Sequence, residues 1–289
     1  MKNPRFSGHE TFHCKSFWLK KGYDFSRNNS SFRDIDAVVQ LGVGKNMVSS
    51  ISHWLSVFNI LNDEGGFSQV GSAILDNEGF DPYMEDIGTI WFLHFQLLKK
   101  EYASLYPLFF KDFRRTRISG EFNSTQLADF TINLLKRNGL NISPNTINND
   151  INVLLKNYVR PVKSTVKTQE DDANILLAEL NLVFVADERS SKSTDYVFNY
   201  SNQSSLPALI LLAAVLEVFK DRSSISINEI QNEVSDLFLC NREGTDMKLQ
   251  ELAELGLLIA KSNAGRNEVQ FKKRLDTLTI LNMYYGKAN

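Results

Sequence analysis

Residues 41–61 read LGVGKNMVSSISHWLSVFNIL. Apolar side chains recur at Met47, Ile51, Leu55 and Phe58, with Val48 and Trp54 beside them, the three-to-four-residue spacing of a helix that buries one stripe. The other face is polar: Lys45, Asn46, Ser49, Ser50 and His53. Gly42 stops the preceding apolar element, DIDAVVQL at 34–41, so the turn GVG joins two helices. The next stretch, NDEGGFSQVG at 62–71, is a glycine-bearing turn between short segments fit for a small wing. Together they predict a helix-turn-helix or winged-helix-like unit over 34–72, whose second helix enters the major groove. On that reading Lys45, Asn46, Ser49, Ser50 and His53 contact DNA.

Most other segments also read as helices, so the expected fold class is mainly α. MEDIGTIWFLHFQLLKK (84–100) is a buried helix in which His94 is a hydrogen-bonded core residue. Ser124 caps a helix that stops near Gly139. Ser143, followed by Pro144 at the first helical position, opens SPNTINNDINVLLKNYV (143–159). That helix buries Ile147, Ile151, Leu154, Leu155 and Tyr158 and exposes Asn145, Thr146, Asn148, Asn149 and Asn152. Asparagine pairs bidentately with an adenine edge, so Asn145, Asn148 and Asn149 can read bases; helix-start chemistry and solvent exposure account for them equally well.

PVKSTVKTQEDDAN (161–174) reads as a linker. The expected domains are therefore 1–160, a helical DNA-binding domain holding the 34–72 unit and a second helical pair at 124–159, and 161–289. The latter contains a hairpin with a polar turn over 187–200, an apolar helix from Leu206 to Lys220, and helices at Ser226–Val234 and Thr245–Leu255. A second hairpin follows around Asn263, Ala264 and Gly265. Residues 206–275 thus carry a second winged-helix pattern. Its would-be recognition helix mixes Asp246, Glu251 and Glu254 with Lys248, which favours protein docking over base reading.

The chain has 289 residues, 43% of them hydrophobic, enough to bury at least one full core. No apolar run reaches the roughly 20 residues a membrane span needs, and no signal-peptide core follows the start, so a cytoplasmic protein without a membrane partner is expected. Two distant cysteines, Cys14 and Cys240, make neither a disulfide framework nor a C-x-x-C motif. The formal net charge of −2 conceals local patches. Lys2, Arg5, Lys15, Lys20, Lys21, Arg27 and Arg33 make the first 33 residues basic, and KDFRRTR (111–117) adds Arg114, Arg115 and Arg117. Counterion release depends on the contacting face and not on total charge, so these patches suit a phosphate backbone.

HETFH at 9–13 matches the HExxH pattern of zinc peptidases. It sits in a basic arm beside the terminus, and Ser7 with Glu10 has capping-box spacing, so zinc is not expected. GVGKN (42–46) lacks the GxxxxGK[ST] of a phosphate loop, and Lys45 reads as a phosphate contact.

GHETFHCKSFWLKKGYDF (8–25), LGVGKNMVSSISHWLSVFNIL (41–61) and DPYMEDIGTIWFLHFQLL (81–98) resemble the SspB-type proteins of bacterial DNA phosphorothioation and anti-phage defence operons. The resemblance covers residues 5–100 most strongly. It implies strand nicking, alongside a cysteine desulfurase, an ATPase and a sulfurtransferase of the same operon. Gly8, His9, Glu10, Thr11, Phe12, Trp18, Leu19 and Lys20 match the family pattern; His13 lies outside it, and Lys15 stands where arginine is common.

Nicking requires a group that activates water or attacks, and charge stabilisation at phosphate. His9 and Glu10 are the candidate catalytic pair, with Lys15, Lys20 and Lys21 for phosphate. Asp81, Glu85 and Asp86 offer oxygen ligands for Mg²⁺ or Mn²⁺; they equally suit the first turn of the following helix, where negative charge is favoured. The other reading is a non-catalytic DNA-binding adaptor or transcriptional regulator.

Overall fold

The computed structural model describes residues 4–28, 31–62, 64–99, 102–160, 175–190, 193–263 and 266–286. The predicted linker at 161–174 and the two hairpin tips at 191–192 and 264–265 lie outside them. The chain divides into two compact units, Met1–Asn199 and Tyr200–Asn289. Among the described residues no helix is long and apolar enough to cross a membrane.

The first unit runs α1 (Ser16–Arg27), α2 (Ala37–Leu41), α3 (Lys45–Val57), α4 (Gln69–Leu75), α5 (Ile87–Lys99) and α6 (Leu105–Pro107), the last continuing as a π-helical turn, Leu108–Phe113. Strand β1 (Glu121–Asn123), α7 (Ser124–Arg137), α8 (Pro144–Tyr158), β2 (Val183–Ser190) and β3 (Ser193–Phe198) complete it. Gly42 ends α2 in the left-handed conformation (φ 58°), as the helix-turn-helix reading requires. The predicted wing is smaller than expected. A single antiparallel bridge, Leu61 to Phe67, closes the turn, and Ser68 then caps α4 by accepting from the Gly71 N–H.

The core is aromatic. Trp18, Trp54 and Trp91 are all at most 1% exposed. His94 is buried, as expected, with Nδ1 2.7 Å from the Tyr158 hydroxyl. Phe122 on β1 and Phe198 on β3 lie 4.7 Å apart between ring centres, and Phe109 of the π-helical turn packs on both at 5.3 and 4.8 Å. Each such ring contributes about 1.5–3 kcal/mol by leaving water.

That aromatic cluster ties β1 to a hairpin that the sequence places in the other domain. β3 pairs antiparallel with β1, Glu121 opposite Val197 and Asn123 opposite Asp195, and the sheet order is β1-β3-β2. Strand, two helices and a returning hairpin make a winged helix of residues 121–198, with α8 as its second helix. The compact units accordingly divide at 199/200, whereas the linker reading drew the boundary at 160/161.

The second unit repeats this topology. After α9 (Ala208–Val218) come β4 (Ser224–Ser226), α10 (Ile227–Glu233), α11 (Arg242–Glu254), β5 (Leu258–Asn263), β6 (Arg266–Phe271) and α12 (Thr277–Gly286). The order is β4-β6-β5, with Ser224 opposite Gln270 and Leu258 opposite Phe271. Both winged helices end their first strand in a reciprocal cap. Asn123 and Gln126 exchange backbone-to-side-chain bonds of 3.0 and 3.1 Å, and Ser226 and Glu229 bonds of 3.2 and 3.1 Å. Asn123 therefore caps α7, in place of the predicted Ser124, because its side chain reaches the N3 amide.

Candidate nucleic-acid interface

The outward face of α8 is built by its own sequence. Pro144 occupies the first helical position, and Ile147, Ile151, Leu154, Leu155 and Tyr158 turn inward. Asn145, Asn148, Asn149, Asn152 and Lys156 remain exposed, a row of amide donors and acceptors ending in one cation. No carboxylate joins them, because Asp150, the helix's one acid, points inward and is 5% exposed.

Asp150 was not among the residues singled out from sequence, yet it organises the N-terminal arm. Its Oδ1 and Oδ2 accept the Ser7 N–H at 3.0 and 3.2 Å, and His9 Nε2 lies 3.3 Å from Oδ1. Thr11 N–H donates to His9 Nδ1 at 3.2 Å, which leaves the ring proton on Nε2, directed at Asp150. At 3.3 Å the two groups face each other without the alignment of a hydrogen bond. Asn157, further along α8, accepts the Cys14 N–H at 2.9 Å and donates to the Tyr106 hydroxyl at 2.7 Å. From α3, Trp54 Nε1–H donates to Phe12 O at 3.2 Å. Its indole is near-parallel to the His9 ring at 6.3 Å, and His53 stands edge-on to it at 5.4 Å.

GHETF is therefore a clamp with one buried side chain, His9, inside an otherwise exposed or half-buried turn. A Cβ on Gly8 would sit 2.3 Å from His53 Nδ1, so glycine is required there. Ser7, Glu10 and Thr11 have φ of 67°, 53° and 83°, and the last is uncommon for a β-branched residue. The predicted Ser7–Glu10 capping box is absent because these residues turn and do not start a helix; α1 begins at Ser16. HETFH accordingly has no i,i+4 helical pair of histidines, and Glu10 is exposed while His9 is 3% exposed.

This geometry corrects the nickase expectation. His9 is enclosed by His53, Trp54 and Asp150, and Glu10 faces solvent, so the two make no acid–base pair at an open phosphate site. Asp81 is 6% exposed and its carboxylate is used internally. It accepts the N–H groups of Glu85 and Asp86 at 2.9 and 3.0 Å and the Thr89 hydroxyl at 2.6 Å. Asp86 in turn accepts the Gly88 N–H at 2.7 Å. These acids cap the start of α5. Among the described residues no group of three or more His, Cys, Asp or Glu is placed to hold a metal ion. The chain thus lacks, among the described residues, the arrangement the nickase expectation needs, and Asp81 and Asp86 serve as helix-capping acids.

The remaining candidates separate by burial. On α3, Lys45, Asn46 and Ser49 are exposed, as the helix-turn-helix reading has them. Ser50 is fully buried, and His53 is enclosed enough that burial, with His9 nearby as a second cause, lowers its pKa to about 3. The buried stripe of α3 is thus wider than its apolar letters. Lys20 is 7% exposed and bonds Asp24 at 2.6 Å and Asn77 at 2.8 Å, so it is an internal cation and not a phosphate contact. Lys15 precedes α1, its Nζ 6.0 Å from the Trp18 ring, and Lys21 is half-buried. In KDFRRTR, Arg115 is exposed and Arg114 half-buried. Arg117 lies over the Phe113 ring at 4.8 Å, which holds its guanidinium at the turn leading into β1.

A family model described as "Protein of unknown function (DUF4007)" matches residues 6–285. No curated protein matches. Two solved structures do. One, "SspB crystal structure", aligns at a TM-score of 0.83 and 23% identity; the other, "Magnesium ion-bound SspB crystal structure", at 0.83 and 24%. Each alignment covers 98% of this chain and 88% of that one. The fold is theirs.

Proposed function

The chain belongs to the DUF4007 family, and from that premise we propose that it is a non-catalytic DNA-binding component of a phosphorothioate-type DNA modification and phage-defence system. The observation that carries this reading is the first winged helix, whose second helix presents Asn145, Asn148, Asn149 and Asn152 outward with its one acid turned in. In a winged helix this element lies in the major groove, where asparagine reads adenine through paired N6 and N7 contacts. Arg115 and Arg117, before β1, supply sequence-independent contacts to phosphate, as do Lys45 and Asn46 at the exposed start of α3. The likeness to SspB supports the defence-system context, with the desulfurase, ATPase and sulfurtransferase as expected partners and the cytoplasm as the site of action.

One SspB crystal holds magnesium. In this chain the acids nearest to a cation set, Asp81 and Asp86, are bonded to backbone amides. Magnesium keeps much of its water and leans on substrate phosphates, and among the described residues no group of three or more His, Cys, Asp or Glu is placed to hold it.

Fluorescence anisotropy of labelled duplexes tests the reading. Wild-type affinity falls steeply between low and moderate salt, and each of Arg115→Ala and Arg117→Ala reduces the log–log salt slope by about 1. Asn148→Ala/Asn149→Ala costs about 1–3 kcal/mol on the preferred sequence and little on random DNA. Equal loss on both duplexes, or none on either, removes α8 from base recognition.

A further inference from the structure

The two winged helices share a topology and differ in what their second helices show to solvent. In α8 the acid is inside and the amides are outside. In α11 this is inverted. Lys248 is 6% exposed and its ammonium donates to Asn202 O at 2.9 Å. Burial lowers its pKa. Arg242 is held by Asp246, through Nε at 2.9 Å to both carboxylate oxygens, and by Asn228 at 2.8 Å. Both cations of the helix are thereby withdrawn or neutralised.

The exposed face carries the row Glu243, Met247, Glu251 and Leu255, at intervals of four, with Glu254 alongside accepting from Gln250 at 3.0 Å and Asp246 paired to Arg242. All three glutamates are exposed, and Met247 and Leu255 are 59% and 40% exposed. Ile259, 43% exposed on β5, extends the apolar part. Such a face repels phosphate at the position where a DNA-reading winged helix would accept it. Alternating carboxylates and apolar side chains complement one kind of surface, a protein segment that places lysines or arginines around an apolar anchor.

We propose that the second winged helix is a protein-docking module, whose α11 face receives a basic, apolar-bearing segment of a partner protein and stays off DNA. The inference is independent of whether α8 reads bases. It divides the chain's work: one winged helix for nucleic acid, its topological repeat for a protein.

The test uses the full chain carrying Met247→p-benzoylphenylalanine, irradiated in the native host, with the adducts identified by mass spectrometry. The expected result is an adduct to one protein, on a peptide rich in lysine or arginine, reduced at least about tenfold by Glu251→Lys/Glu254→Lys in the same chain. Adducts to nucleic acid, adducts indifferent to the charge reversal, or no adduct would overturn the proposal. A second measurement uses Glu243→Gln/Glu251→Gln/Glu254→Gln and the same labelled duplexes. Affinity within about twofold of wild type is expected, whereas a rise of tenfold or more would put the face against DNA and refute it. A wild-type chain that binds no DNA would end the α8 reading and leave the cross-linking result to decide this one.

Discussion

Replacing Asp150 tests whether the N-terminal arm is held by α8. In the folded chain its carboxylate accepts the Ser7 N–H through both oxygens, at 3.0 and 3.2 Å, and faces His9 Nε2 at 3.3 Å, with 5% of the residue exposed. Asp150→Asn keeps the shape and one acceptor but removes the charge. A hydrogen bond to a charged group is worth about 1.5–3 kcal/mol and a neutral one about 1, so the expected loss is about 1–2 kcal/mol. Asp150→Ala takes the acceptor from the part-buried Ser7 N–H, removes the carboxylate facing His9 and opens a small cavity, for about 2–4 kcal/mol. Trp18, Trp54 and Trp91 all lie in the first unit, so tryptophan fluorescence during urea unfolding reports that unit alone. The order wild type, Asn, Ala is the signature. Both variants within about 0.5 kcal/mol of wild type, the range of ordinary surface changes, would mean that the arm is not anchored there. An alanine variant more stable than the asparagine one would refute the charged-acceptor account.

Gly8→Ala puts a methyl 2.3 Å from His53 Nδ1, and because that ring is packed on Trp54 it has little room to yield. The expected cost in the same urea assay is about 1–3 kcal/mol, and near-wild-type stability would show the contact to be slack. His53, whose pKa burial lowers from 6.5 to about 3, takes up a proton in the unfolded chain before the folded one. It therefore contributes no pH dependence above 6.5, and stability declines as pH falls from there toward 3, by up to about 1.4 kcal/mol per pH unit. His53→Gln removes that slope. Unfolding free energies of the two proteins that run parallel between pH 7 and 5 would contradict the assignment.

The sequence shows α8 and both hairpins plainly, since Ser143–Pro144 marks a start and the apolar spacing persists over four turns. It does not show that the hairpin at 183–198 belongs with α7 and α8. The deciding strand, Glu121–Asn123, is three residues long with one buried side chain, Phe122, too short for alternation to register. Its pairing with Val197 is a non-local event that only packing among Phe109, Phe122 and Phe198 reveals. Lys20 and Lys21 look alike in sequence; the difference lies in Asn77, a distant acceptor that makes burial of one ammonium tolerable. Polarity alone points Ser50 and His53 to solvent, yet Ser50 is fully buried and His53 stands against Gly8 and His9 of the arm.

The arm's irregular backbone follows from what it must connect. Ser7 and Cys14 bond through their amides to Asp150 and Asn157 of α8. Both pairs are seven residues apart, but seven residues of helix rise only about 10 Å whereas seven extended residues span about 23 Å. An extended arm overshoots its second anchor, so the segment has to double back between the two bonds. The positive φ values at Ser7, Glu10 and Thr11 make that turn, and the His9 ring secures it by accepting the Thr11 amide on one nitrogen and facing Asp150 with the other. GHETF thus works as a ruler fitted to two turns of α8. Because Asp150 shares its helical turn with Asn148 and Asn149, loosening the ruler loosens the amide face on the other side of the same helix. Variants at His9 or Gly8 are accordingly expected to weaken DNA binding through helix placement, with sequence preference and salt slope declining together, although neither residue reaches the DNA.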